Sequence, residues 1–295
     1  MRQFFGMSQS GNLQEAVRGL VQPQLIMLLS NSGQFEEHVK NLEELYPKIP
    51  SIGCIGMGYD TKVVEKGVCI IAFHDVDATA NVLEEVSIMP VKYIERLEKD
   101  VQAVNGSGSD TICIDFCSGN DACVLTTIYS ALKHRNISLV GGTGDAGKVS
   151  ANGKIYNDAV AYTLIKNKNG RVKAYKEIIY HQMGNQRFIA SQTDRANYII
   201  GKLNGSPAKQ VYQDILHIPE KQIQTQTFKN PFGKISGNET CIISIKEVSG
   251  NALTCFRQVN DSDVLIMLEL GDYKTIVKET VQNIRKDVRK KSSGI

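Results

Sequence analysis

Residues 137–153 read ISLVGGTGDAGKVSANG and contain the pattern that decides the fold. The mostly apolar residues 137–140 have the composition of a strand, and a glycine-rich run, 141–147, follows directly. Asn152 and Gly153 both tolerate the positive φ of a type I′ turn, so a hairpin is expected there. A glycine-rich loop at the carboxyl end of a strand is typical of ligand crevices in open α/β sheets.

The same stretch fits the GxxxxGK core of a phosphate-binding loop, from Gly142 to Lys148. Such a loop needs a Ser or Thr after the lysine to ligate magnesium, and a helix whose N-terminus faces the phosphates. Val149 occupies the magnesium position, and the expected hairpin replaces the helix. The sequence therefore argues against nucleotide hydrolysis and favours a glycine-rich ligand loop.

Helix and strand signals alternate through the first 190 residues. Apolar runs at 24–30, 67–73 and 111–116 have strand length, and apolar residues at helical spacing predict helices over 35–45, 91–104 and 124–132. A second Asn-Gly pair, Asn169-Gly170, predicts a hairpin between long strands at 154–165 and 171–180. We therefore expect an α/β fold with a mixed sheet and flanking helices. No internal repeat is evident.

The pattern changes near residue 190, which we interpret as a domain boundary. Ser206-Pro207 resembles an N-cap followed by proline at the first helical position. Strands are expected at 240–247, 251–258 and 264–268, and Asp272 is expected to cap a last helix. Four apolar residues of that helix share one face: Val277, Val281, Ile284 and Val288. The sequence thus predicts a domain over 1–190 and a second, smaller α/β domain over 197–295.

Composition limits the function classes. The 295 residues include 34 Lys and Arg against 31 Asp and Glu, a net charge of +3 that is too small to indicate a nucleic-acid partner. The basic run 285–291 is interpreted as a solvated helix end, because cations are favoured at a helix C-terminus. No apolar run approaches the roughly 18 residues of a membrane helix, and the N-terminus is a poor secretory signal. We expect a cytoplasmic protein without membrane insertion, whose seven cysteines are mostly buried thiols.

Three segments each follow an apolar strand and present small or polar residues, namely 53–58, 115–121 and 141–147. If their strands are neighbours, the three loops line one pocket, where backbone amides can approach a ligand. The candidate ligand-binding residues are Gly53, Cys54, Gly56 and Gly58 in the first segment, Asp115, Cys117, Ser118 and Gly119 in the second, and Gly142, Thr143, Gly144 and Asp145 in the third.

Two other chemistries stay open. Cys117, at a strand end, would be an activated thiol of a Cys-dependent hydrolase if a base approached it. Haem would require one positioned imidazole, and His74 and His181 are the candidates because both follow strand-like segments. A zinc site is not expected, since Cys113, Cys117 and Cys123 lack the paired spacing of zinc ligands. We expect neither a metal nor a resident cofactor.

The order of these elements resembles a FIST domain, a bacterial sensory module. The resemblance covers roughly 24–190, and its most specific parts are the Gly-Gly-Thr-Gly-Asp run at 141–145 and the later sequence DAV at 158–160. Residues 197–295 resemble the C-terminal companion domain of the family, with the motif NGSPA at 204–208 and NPFG at 230–233. The final residues, SSGI, lead toward a strand that does not follow, so the second domain is expected to be incomplete.

The resemblance implies a non-catalytic input domain that binds a small ligand, with amino acids as the proposed class. It implies a signalling partner, in the same chain or in another: an output domain, a histidine kinase or a chemoreceptor. It also keeps haem as an alternative, because some members that resemble this chain bind haem and sense nitric oxide.

Overall fold

The apolar run Leu25–Ser30 forms a strand that is buried on both faces, as continuous apolar sequence predicts. It belongs to the first of two units into which the computed structural model divides, Met1–Ala174 and Tyr175–Ile295. The structure describes residues 1–59, 63–64, 66–88, 90–119, 122–236 and 239–292. The division between the units, after Ala174, lies before the boundary expected near residue 190, because Tyr180–Asp194 is a strand of the second unit.

The first unit alternates strands and helices, which confirms the α/β class. Its strands are β1 (Arg2–Ser8), β2 (Leu25–Ser30), β3 (Ser51–Ile55), β4 (Gly58–Tyr59), β5 (Val63–Val64), β6 (Val68–His74), β7 (Val76–Glu84), β8 (Thr111–Cys117), β9 (Ser138–Thr143), β10 (Val149–Ala151), β11 (Lys154–Tyr156) and β12 (Ala159–Asn167). Its helices are α1 (Leu13–Ala16), α2 (Phe35–Leu45), α3 (Ile94–Ala103) and α4 (Ala122–Lys133). A 3₁₀ turn, Pro90–Tyr93, precedes α3.

Two sheets of this unit repeat one topology. The first runs β1-β6-β2-β3 and continues into β10 and β11, and the second runs β7-β12-β8-β9. In each sheet a single pair is parallel, β2 with β3 and β8 with β9, and a helix, α2 or α4, connects the two strands of that pair. The chain therefore contains an internal structural repeat that the sequence does not show, and both sheets are mixed as predicted.

The unit is built in four layers. Helices α1 and α2 pack on the outer face of the first sheet, and α3 and α4 pack on the outer face of the second. The inner faces of the two sheets meet in an apolar layer that includes Met27, Ile52 and Ala161. Both sheets are thus covered on both faces, which explains why their strands read as apolar runs.

The two Asn-Gly pairs behave differently. Asn152 and Gly153 have φ values of 49° and 75° and join β10 to β11 in the predicted hairpin. Asn169-Gly170 does not form one, since residues 171–179 are not a strand. The preceding strand, β12, already pairs with β7 on one side and β8 on the other. The expected hairpin was wrong because β12 has no free edge for a third partner.

The second unit begins with a long strand and is dominated by one sheet. Its strands are β13 (Tyr180–Asp194), β14 (Ile199–Leu203), β15 (Ser206–Pro207), β16 (Phe232–Ser236), β17 (Glu239–Ile243), β18 (Ile245–Ser249), β19 (Ala252–Cys255) and β20 (Val264–Leu270). Its helices are α5 (Ala208–Leu216), α6 (Ile223–Gln226) and α7 (Tyr273–Ser292). The sheet follows the order β17-β16-β20-β13-β14-β19-β18, with β15 beside β14, and its core includes Tyr212, Phe188 and Phe232.

One predicted helix start in this unit was wrong. Ser206 does not cap a helix but pairs with Leu203 across a turn in which Asn204 and Gly205 have φ values of 51° and 83°. Helix α5 begins after Pro207. Asp272 does cap α7 as predicted, because the Thr275 amide donates a hydrogen bond to its carboxylate.

Candidate functional site

The three strand-end segments predicted from the sequence meet at one edge of the first unit. The amide of Gly144, just after β9, donates a hydrogen bond of 2.8 Å to the carbonyl of Cys117 at the end of β8. Gly144 also lies against the end of β3, since a Cβ placed on it would be 2.9 Å from Cβ of Cys54. We call the described residues of 53–58, 115–119 and 141–147 the strand-end site.

The structural repeat places an equivalent bond in the first sheet. The amide of Gly56, just after β3, donates 3.0 Å to the carbonyl of Ser30, the last residue of β2. Gly56 and Gly144 therefore occupy corresponding positions in the two repeats. Each donates a backbone hydrogen bond to the last residue of the neighbouring parallel strand. The strand-end site forms where the ends of the two repeats come together.

Close approach explains two of the glycines. A Cβ on Gly141 would lie 2.1 Å from both the carbonyl oxygen and Oδ1 of Asp115, which no side chain can accommodate. A Cβ on Gly53 would lie 2.7 Å from Oγ of Ser150 and 3.1 Å from the Leu28 carbonyl oxygen. These residues are needed for packing between strands, which favours a structural role for them over ligand contact.

The loop after β9 turns sharply instead of starting a helix. Asp145–Gly147 forms a single 3₁₀ turn, in which Ala146 and Gly147 have φ values of 54° and 68°. Lys148 then pairs with Glu36 at 2.7 Å and the chain enters the β10–β11 hairpin. This geometry agrees with the sequence argument against a phosphate-binding loop, which requires a helix at this point.

About half of the predicted site residues are buried. Gly53, Cys54, Gly58, Asp115, Cys117 and Ser118 are all buried. Ser118 holds the end of β8 to β12, because its amide donates to the Ala159 carbonyl and its Oγ accepts from the Ala159 amide. These buried residues hold the strand ends in place and do not form the exposed surface of the site.

The other predicted residues reach the surface. Gly142, Thr143 and Asp145 are exposed, and Gly56, Gly119 and Gly144 are half-buried. Gly119 and Gly142 are open, since an added Cβ at either position would meet no other described residue within 4 Å. Asn120 and Asp121, which the predicted second segment included, lie outside the described residues. A ligand at this edge would meet glycine backbone and the Asp145 carboxylate.

The two cysteines of the site face different layers, and both are buried. Cys54 lies between the sheets, where burial and, to a lesser degree, the Asp145 carboxylate raise its pKa to about 12. Cys117 lies beneath the helices of the second sheet and donates its thiol proton to the Gly119 carbonyl at 2.7 Å. A reactive cysteine needs a thiolate, which burial disfavours.

The two histidines considered for haem do not fit that group. Nε2 of His74 lies 2.8 Å from the Val21 carbonyl oxygen. His181 lies in the second unit, with 60% of its side chain exposed and Nε2 3.1 Å from Glu269. A haem ligand requires an imidazole directed into a largely apolar cavity. Within the described residues, no group of three or more His, Cys, Asp or Glu side chains is placed to hold a metal ion.

Two residues at this edge were not among the candidate ligand-binding residues. Ser150 in β10 fills the space against Gly53, and Met57 presents an exposed apolar side chain next to Gly56 and Gly58. The pairing of β10 with β3 brings Ser150 there, and this pairing joins residues about a hundred positions apart. For Met57, its place between two predicted site glycines was an available signal.

A separate cavity of about 620 Å³ lies in the second unit. It lies beside the bulge in β13 at 183–186, and Asp214 and His217 from the end of α5 also line it. None of the sequence-predicted site residues belongs to this cavity.

Comparison with known families agrees with this architecture. The model of the FIST N domain matches residues 24–206, which is more than half of the chain and includes the whole strand-end site. The chain therefore belongs to the FIST family, a family of sensory domains in signal transduction. A comparison with curated proteins gives no match. No helix of the described residues is long and apolar enough to cross a membrane.

Proposed function

We propose that this chain is a small-ligand-binding sensory module of bacterial signal transduction, and that the strand-end site receives the ligand. The observation that supports this most strongly is the meeting of three glycine-rich or polar strand ends around Gly144. All three segments follow strands that belong to a parallel pair, β3 with β2 and β8 with β9, and ligands of α/β proteins bind at the carboxyl end of such strands.

The chemistry of the exposed residues favours an amino acid or a related metabolite. The Asp145 carboxylate can accept hydrogen bonds from an ammonium group. Glycine backbone at Gly119 and Gly142 can come close to a carboxylate, because glycine itself has no side chain. The exposed Met57 offers an apolar contact for the rest of the molecule.

The proposal includes a role without catalysis and without a resident cofactor. The family supports a sensory role, and the described contacts of Cys54 and Cys117 do not suggest a hydrolase. We also propose that the protein is cytoplasmic. Its signalling partner, in the same chain or in another, is an output domain, a histidine kinase or a chemoreceptor.

A thermal-shift screen of amino acids and related metabolites tests it. A ligand that binds the folded state alone stabilises it by about 2.7 kcal/mol at a hundredfold excess over its Kd. We expect at least one amino acid to raise the Tm of the full chain, and Asp145→Asn to reduce that shift.

The matched control is Glu37→Gln, which removes an exposed carboxylate on α2. It should leave the ligand-induced shift unchanged. No shift with any amino acid or metabolite would contradict the proposed function, and equal shifts in wild type and Asp145→Asn would contradict the assigned site.

A further inference from the structure

The last helix, α7, carries an apolar stripe that nothing in the described structure covers. Val277, Val281 and Val288 are 41%, 39% and 65% exposed, and Ile284 is half-buried. No described residue of α7 belongs to the buried core of the second unit. An exposed row of aliphatic side chains along a helix is typical of an interaction surface.

The spacing of the stripe is that of a coiled-coil seam. Successive members lie four, three and four positions apart, and this is the alternation of a and d positions in a heptad. A strict a/d stripe is narrower than the apolar face of a helix that packs on a globular core. The adjoining side, with Ile276, Thr280 and Asp287, is half-buried, and Asp287 accepts a hydrogen bond from the Tyr175 hydroxyl.

The charge beside the stripe is positive. Lys278 and Arg285 are exposed and occupy the flanking positions next to Val277 and Ile284, on the side of the stripe opposite to Asp287. Interhelical ion pairs at such flanking positions set partner choice in coiled coils. A second copy of α7 would place cations against cations in an antiparallel pair and would gain no ion pair in a parallel one.

A membrane surface fits the stripe less well. Helices that lie in a bilayer interface bury a broad face with Trp, Phe or Leu. The sequence of α7, YKTIVKETVQNIRKDVRKKS, contains none of these three residues, and its stripe consists of valine and isoleucine.

We propose that α7 is a docking seam for one helix of an acidic partner segment, with aliphatic residues at its own a and d positions and Glu or Asp at the flanking positions. The aliphatic rows interlock along 277–288, and the acidic flank faces Lys278 and Arg285. This inference is independent of ligand binding at the strand-end site.

Two fluorescent synthetic peptides test the seam with the full chain. Both have about three heptads with the same Ile and Leu core, one with Glu and one with Lys at the flanking positions. In fluorescence anisotropy, we expect the Glu peptide to bind about tenfold more tightly than the Lys peptide, and raised salt to reduce this preference.

Three variants separate the seam from nonspecific attraction. Val281→Asn should abolish binding of the Glu peptide, and the double variant Lys278→Glu, Arg285→Glu should reverse the preference. Gln282→Ala, at an exposed position away from the stripe, should bind like wild type. Circular dichroism of each variant checks that the helix content is unchanged.

Equal binding of the two peptides, or an unchanged preference in the double variant, would overturn the proposal. Self-association of the wild type that Val281→Asn abolishes would overturn it in favour of a second copy. Binding to phosphatidylserine vesicles without binding to either peptide would overturn it in favour of a membrane surface.

Discussion

Gly144 lies directly against Cys54, so that a Cβ on the glycine would be 2.9 Å from Cβ of the cysteine and 3.1 Å from the Ile55 carbonyl oxygen. This contact joins the end of β9 in one sheet to the end of β3 in the other. It also defines where the two structural repeats meet.

Substituting Gly144 by alanine should destabilise the protein. The new methyl group must displace backbone or the Cys54 side chain, and overpacking of this kind costs about 1–3 kcal/mol. Chemical unfolding of the variant measures the loss. Gly142→Ala is the control, because that position is exposed and open, and its effect should stay within about 0.5 kcal/mol. Similar losses in both variants would mean that Gly144 has no special contact.

The buried thiol of Cys54 should make stability fall in alkaline solution. Its pKa is raised from 9.0 to about 12, chiefly by burial and further by Asp145. Between these values the unfolded chain has lost the proton and the folded chain keeps it, so rising pH favours unfolding. The expected contribution is about 1.4 kcal/mol for each pH unit above pH 9.

Urea unfolding at pH 8, 9 and 10 measures this slope. In Cys54→Ala the decline above pH 9 should be shallower than in wild type by the contribution of that thiol. An identical slope in the two proteins would show that Cys54 ionises normally in the folded state.

The two Asn-Gly pairs should differ in their contribution to stability. Asn152 has positive φ, and its side chain donates to the Ala80 carbonyl and accepts from the Ser51 amide. Asn152→Ala should therefore cost about 2 kcal/mol, from backbone strain and the lost hydrogen bonds. Asn169→Ala should change the unfolding free energy by less than about 0.5 kcal/mol. Equal effects would contradict the different roles of the two turns.

These contrasts show how far the sequence determines the fold. Local chemistry predicted the Asp272 cap, confirmed by the Thr275 amide, and the hairpin at Asn152-Gly153. It failed at Asn169-Gly170, because the outcome depends on β12 having both edges occupied by strands far away in sequence. The sequence also does not show the structural repeat. The two halves share strand order and a pattern of buried positions, and many different apolar residues can fill those positions.

The site was predicted in part. Glycine-rich strand ends identified the three segments, and the structure brings them together. The sequence could not separate residues that shape the site from those that reach its surface. Asp115 and Thr143 looked equally available, but Asp115 lies against Gly141 in the interior and Thr143 is exposed. That distinction depends on which face of each strand the helices cover.

Hydrogen exchange with an amino acid identified in the thermal screen shows where the ligand binds. Exchange of the full chain is followed by mass spectrometry with and without the ligand. We expect slower exchange in 53–58, 115–119 and 141–147 when the ligand is bound to the strand-end site. Protection confined to 183–186 and 214–217, which line the cavity of the second unit, would contradict this expectation.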